Sequence, residues 1–221
     1  MNTNKYNAFY HCNIIEFTGI SAIGKSTYIK ENCVDNDKIL FDVEGFSNAA
    51  TGYFIYRFFL ASRLFFLSIF LSSTRYSDIF WIFKATVNIR CSLLFRVNIF
   101  RNCLLKFYYY DILSKSEKHC KTLFIDEGIS HIPFLIQDQN NGKEMIKEFY
   151  IRFQKQLSFV KVVCIDGDVD TVERLLLRGH KRLKYSSKHE VNSFDTMNRS
   201  TLKDILKYAD FYKKFTIILT E

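Results

Sequence analysis

The sequence predicts an α/β protein in which a parallel sheet carries helices on both faces. Short continuous apolar runs, each about one strand long, alternate along the chain with stretches of helical periodicity. The first of these runs passes directly into G-x-x-x-x-G-K-[ST] at residues 19–26, and a helix start follows. A third observation sets one region apart. After Gly52 neither glycine nor proline occurs until Gly128. Apolar and basic residues uninterrupted over that length predict a helical insertion.

Taken in order, residues 13–18 (NIIEFT) read as a buried strand through Ile14, Ile15 and Phe17. The loop that follows has the composition of a phosphate cradle, Walker A in form. Gly19 and Gly24 let the backbone take positive φ and approach an anion with no Cβ in the way. The N–H groups of Ile20, Ser21, Ala22 and Ile23 can then converge on phosphate oxygens, aided by the positive end of the helix entered at Thr27. Lys25 places a point charge on the β- and γ-phosphates, and the Ser26 hydroxyl is expected in a Mg²⁺ shell. Residues 19–27 are thus the expected ATP site, in a three-layer P-loop NTPase fold.

A second strand over residues 38–46 ends near Asp42 and Glu44. Residues 46–113 form the helical insertion, expected as three helices broken near residues 72–74 and 86–92. Residues 121–128 (KTLFIDEG) give a third strand running into a glycine turn, and residues 143–158 a helix. Residues 160–167 give a fourth strand. Asp170 and Glu173 then open a helix with capping-box spacing. Residues 178–190, basic and polar, read as a lid. A helix over residues 194–213 and a strand over residues 215–219 complete a single domain, residues 1–221.

Charge is concentrated in one place. Between residues 52 and 110 eight basic residues face Asp78 alone, and 18 of the 37 aromatics lie there, so the remaining parts of the chain sum to near neutrality. This segment is expected to bind the acceptor or to dock on a surface, including peripheral contact with the inner face of a membrane. Its longest charge-free run, residues 64–74, is too short to span a bilayer. Its aromatics are mixed with large aliphatics, which argues against nucleic acid as partner. Six scattered cysteines without C-x-x-C spacing, and no apolar leader in residues 1–11, fit reduced thiols in a cytoplasmic protein.

Asp126 closes the third strand, where ligands sit in a parallel sheet, and is expected to hold Mg²⁺ directly or through water. Glu127 either faces an acceptor or polarises water. His131 could line the same mouth. Glu44 is the other carboxylate placed to accept a proton from a hydroxyl nucleophile. Arg174 and Arg178 share a helix face, and Arg178 and Arg182 are expected to close over the transferred phosphoryl group.

The P-loop, the Asp of the third strand and the run Glu173, Arg174, Arg178, Gly179 and Arg182 resemble P-loop kinases of nucleotides and nucleosides, with thymidylate kinases the nearest pattern. The resemblance covers residues 13–45 and 121–219. It implies a five-stranded parallel sheet ordered 2-3-1-4-5, a closing lid and Mg-ATP as phosphate donor. Thymidylate kinases usually carry Asp-Arg where this chain has Asp126-Glu127, and the basic aromatic segment replaces their acceptor-binding region.

The reading is an ATP-dependent phosphotransferase acting on an unidentified acceptor, with a bulky or lipid-linked molecule favoured over a small sugar. Lys25, Glu44, Glu127, Arg178 and Arg182 are its catalytic candidates, and Ser26 and Asp126 its metal ligands. The alternative is an ATPase or nucleotide switch in which Glu127 orients water and the insertion docks a membrane or a partner. A third reading is a membrane-surface scaffold that keeps the loop only to bind nucleotide.

Overall fold

The computed structural model describes residues 13–32, 39–42, 76–89, 91–115, 122–137, 142–167, 170–178 and 187–220. In chain order the elements are β1 (Asn13–Gly19), α1 (Lys25–Asn32), β2 (Ile39–Asp42), α2 (Tyr76–Val87), α3 (Leu93–Lys115) and β3 (Thr122–Asp126). A 3₁₀ turn (Ile129–His131) leads into α4 (Ile132–Ile136), then α5 (Gly142–Leu157) and β4 (Lys161–Gly167). Last come α6 (Thr171–Arg178), α7 (Lys188–Leu206), a 3₁₀ turn (Ala209–Phe211) and β5 (Lys214–Thr220).

The five strands form one sheet in the order β2-β3-β1-β4-β5. Every pairing is parallel, with Phe17 of β1 opposite Asp126 of β3 and Gly19 opposite Ile165 of β4. β1 is therefore central. Its carboxyl end, where the glycine loop begins, lies between the carboxyl ends of β3 and β4. This is the place where a parallel sheet presents residues to a ligand.

The core explains why the insertion stays with the sheet. α5 turns Ile146, Phe149, Tyr150, Phe153 and Leu157 inward at helical spacing, and all are buried. Phe153 meets Phe107 of α3 at 4.5 Å and Trp81 of α2 at 5.8 Å between ring centroids. Each such ring contributes roughly 1.5–3 kcal/mol on full burial. At the rim of this contact Arg152 of α5 pairs with Asp78 of α2 at 3.0 Å and lies over the Trp81 ring. The described part of the insertion thus shares one core with the sheet. The outer side of α2 and α3 leaves Tyr76, Phe80, Phe83, Leu93, Leu94 and Val97 exposed. No helix among the described residues is long and apolar enough to cross a membrane.

Two expectations change. The helix read over residues 194–213 starts at Lys188 and ends at Leu206. Its start is set by a capping box: Ser187 accepts from the Glu190 N–H, and the Glu190 carboxylate accepts from the Ser187 N–H. Beyond its C-cap at Lys207, the Tyr208 ring stacks on Tyr150 at 4.6 Å, just before the 3₁₀ turn that leads to β5. Of the residues expected as a lid, 178–190, Arg178 belongs to α6, and Ser187 and the residues after it belong to the cap and first turn of α7. Arg182 and the greater part of that segment, Glu44, and residues 46–75 of the insertion lie outside the described residues.

Candidate functional site

The loop between β1 and α1 takes its shape from the positions that sequence reasoning singled out. Gly19 has φ +144°, and a Cβ there would stand 2.3 Å from the Ile165 carbonyl oxygen of β4. No side chain fits. Gly24 has φ +104°, and Ala22, although not a glycine, has φ +66°. Ala22 is held from outside by a small apolar cluster of Leu175 on α6 with Val191 and Phe194 on α7. The two helices after β4 therefore brace the loop. Arg174 of α6 adds to this side, since its Nη1 is the nearest atom to a Cβ built on Gly24, at 3.7 Å.

Lys25 is the first residue of α1 and is nearly buried. Its ammonium group donates to the carbonyls of Gly19 at 3.3 Å and Ile20 at 3.2 Å, and pairs with Glu127 Oε1 at 3.1 Å. The next residue, Ser26, donates to Asp126 Oδ2 at 3.3 Å. The loop and the end of β3 are thus joined twice, by neighbouring residues on each side. A hydroxyl and a carboxylate oxygen at this spacing suit Mg²⁺, which takes one or two protein oxygens and fills its octahedron with phosphates and water. Among the described residues no group of three or more His, Cys, Asp or Glu side chains forms a metal cluster.

Glu127 holds the centre. Its backbone is left-handed, φ +58°, an unusual state for a non-glycine residue and one that recurs at functional turns. Its N–H donates to the Phe17 carbonyl of β1 at 3.0 Å, and its own carbonyl accepts from the Lys106 ammonium group of α3. Its Oε2 lies 3.5 Å from His131 Nε2, and His131 Nδ1 lies 3.3 Å from the Thr18 hydroxyl. Burial, together with the charges of Lys25 and Lys106 and against the pull of Glu127, pushes the His131 imidazole down to about 3, so the ring is neutral at neutral pH. A carboxylate can only accept, so Nε2 carries the proton toward Glu127 and Nδ1 accepts from Thr18. Burial works to raise the Glu127 carboxyl, but the charges of Lys25 and Lys106 and the hydrogen bond from Lys25, joined by His131 once that ring is protonated in acid, outweigh it and hold it below the usual carboxylate range. Glu127 is ionised, with its side chain still about a quarter exposed at 27%.

A second buried acid lies behind this turn. Glu16, in the middle of β1, accepts from the Ser130 N–H at 2.7 Å and is 1% exposed. Burial pushes its carboxyl up, against the Ser130 and Ile129 backbone N–H groups and the charge of Lys106.

Of the residues expected from sequence, Lys25, Ser26, Asp126, Glu127 and His131 come together. Asp42 stands opposite Asp126 in the strand register, while Arg178 is the last residue of α6. Two residues escaped the sequence reading. Glu16 reads as part of an apolar strand, although a carboxylate at the centre of such a run is itself a signal. Lys106 reads from the sequence only as part of the basic segment. Its neighbours Cys103, Leu104, Leu105 and Phe107 already marked it as a lysine on an otherwise buried stretch of helix. No protein-family model matches the chain, and no curated protein matches its sequence.

Proposed function

We propose that the protein is a P-loop phosphotransferase that moves the γ-phosphate of ATP to a hydroxyl acceptor. One observation carries the reading: Lys25, Ser26, Asp126 and Glu127 meet at the carboxyl ends of β1 and β3, in two contacts of 3.1 and 3.3 Å. In this reading the Lys25 ammonium group turns from the Gly19 and Ile20 carbonyls to the β- and γ-phosphate oxygens. Ser26 and Asp126 would hold Mg²⁺, which would supply positive charge to the phosphates. The acceptor oxygen attacks the γ-phosphorus, the bond from phosphorus to the β-bridging oxygen breaks, ADP leaves, and the hydroxyl proton passes to the Glu127 carboxylate.

Phosphoryl transfer is loose, so the acceptor proton is lost late and the carboxylate chiefly orients the hydroxyl. An ionised Glu127 of low basicity suits that task. Arg174 beside Gly24, with Arg178 and Arg182 as the lid arginines, supplies cationic charge to the transferred group. The exposed apolar residues of α2 and α3 favour a bulky or lipid-linked acceptor, met at a membrane surface or carried from one.

The same Glu127 could orient water, which makes ATP hydrolysis the second reading. Incubation of γ-labelled ATP with a panel of hydroxyl acceptors separates the two. Label transferred to an acceptor, and lowered about a hundredfold or more in Lys25→Ala, supports the phosphotransferase. Phosphate release that needs no acceptor and vanishes in Glu127→Gln supports hydrolysis. Normal turnover by Lys25→Ala would overturn both.

A further inference from the structure

Lys106 lies in the middle of α3 and is 4% exposed. A buried ammonium group is costly unless its protons are satisfied. The partner here is the main-chain carbonyl of Glu127. That carbonyl belongs to the left-handed residue of the turn, whose peptide is otherwise fixed from β1: the Glu127 N–H by the Phe17 carbonyl, and the Ser130 N–H by Glu16. α3 packs directly against the 3₁₀ turn that follows. The lysine field also reaches further, since its charge acts on the carboxyls of Glu16 and Glu127 and on the His131 ring.

We propose that Lys106 is a positioning residue: it clamps the Glu127 carbonyl and thereby sets the direction in which the Glu127 carboxylate points at the phosphate loop. This rests on the reading of Glu127 as the residue that orients the attacking group. It has a structural corollary. Through this side chain, beside the packing of α3 on the turn, the described part of the insertion is coupled to the reacting centre, so a ligand that shifts α3 along its axis would also shift Glu127. Neither Lys25 nor the loop itself is needed for that link.

The test uses the full chain with Lys106→Met, which keeps length and removes the charge, and Lys106→Arg, which keeps charge and donors. Steady-state turnover and hydrogen exchange of the peptide covering residues 122–137 are measured for both and for Glu127→Gln. Lys106→Met is expected to lower kcat about tenfold or more with KM for ATP within about threefold, and Lys106→Arg to recover part of the loss. In a Glu127→Gln background the Lys106→Met change is expected to have little further effect, since both act through one group. Equal, multiplicative losses in both backgrounds would overturn the proposal, as would unchanged kcat in Lys106→Met. If the wild-type protein turns over no substrate, the functional reading fails on its own, and exchange still decides the clamp. Faster exchange in residues 126–131 of Lys106→Met, with residues 142–157 unchanged, supports it. No change in that turn, or a uniform rise across the chain, overturns it.

Discussion

Glu16 occupies the space that a side chain at Gly128 would need. A Cβ built on Gly128 stands 2.2 Å from the Glu16 carboxyl carbon and 2.3 and 2.6 Å from its oxygens. The requirement for glycine here is steric, because the next residue of the turn must pass close over a buried carboxylate that is itself bonded to the Ser130 N–H. Gly128→Ala should therefore destabilise the protein by about 1–3 kcal/mol in urea unfolding, as overpacking does. It should also lower turnover through displacement of Glu127. Adding Glu16→Ala should restore part of the stability, so the pair should fall well short of the sum of the two single losses.

The two loop glycines should separate in the same way. Gly19→Ala drives a Cβ into the Ile165 carbonyl, and the main chain of a central strand cannot yield. Gly24→Ala meets nothing closer than the end of the Arg174 side chain, at 3.7 Å, and bears only the strain of φ +104°. Nucleotide titration should show Gly19→Ala without measurable binding. Gly24→Ala should weaken binding by about tenfold, in keeping with 1–3 kcal/mol of backbone strain.

The parallel α/β architecture was legible because the strands are short, mainly apolar runs closed by polar or glycine residues. The loop was legible because glycine, lysine and serine at fixed offsets have few other uses. The helix break between Val87 and Leu93 was also readable, from Asn88, Arg90 and Ser92 close together between two apolar stretches. What could not be read is pairing across distance. Lys106 and Glu127 are brought together where α3 packs on the turn after β3, with Phe107 on Phe153 beside it, contacts that no local pattern specifies. The start of α7 was missed for a different reason. Its Ser187–Glu190 box is a local signal, but it lies in a stretch whose basic and polar composition reads as a loop.

Acid should weaken the fold through His131. Its folded-state pKa is depressed to about 3, while the unfolded ring titrates near its ordinary value of about 6.5. The unfolded chain therefore binds the proton first. The stability tied to the neutral ring is fully present above about pH 6.5 and is lost progressively as pH falls toward 3, by at most about 1.4 kcal/mol per pH unit. Glu127, also depressed, adds a loss of the same sign below the ordinary carboxylate range. Glu16, raised by burial, acts in the opposite direction as pH rises above that range. Urea unfolding between pH 5 and 7 should show the slope in the wild type and a flatter one in His131→Asn. An equal slope in the two proteins would mean that the ring does not carry it.

Ser26 and Asp126 should act on Mg²⁺ as one unit. Their oxygens are 3.3 Å apart, close enough to share a coordination shell, and they come from the loop and from the end of the neighbouring strand β3. Ser26→Ala removes a neutral oxygen, and Asp126→Asn removes a charge while keeping an oxygen in place. Each should raise the Mg²⁺ concentration needed for half-maximal nucleotide binding, with Asp126→Asn the larger effect because a charged ligand attracts a divalent cation more strongly. The double variant should fall short of the product of the two, since the second substitution acts on an ion already loosened by the first. Binding measured without Mg²⁺ should hardly change in Ser26→Ala. In Asp126→Asn it should improve, because a carboxylate no longer faces the phosphates. Weaker Mg²⁺-free binding in Asp126→Asn would place that carboxylate in holding the loop's shape, and the metal role would then fall elsewhere.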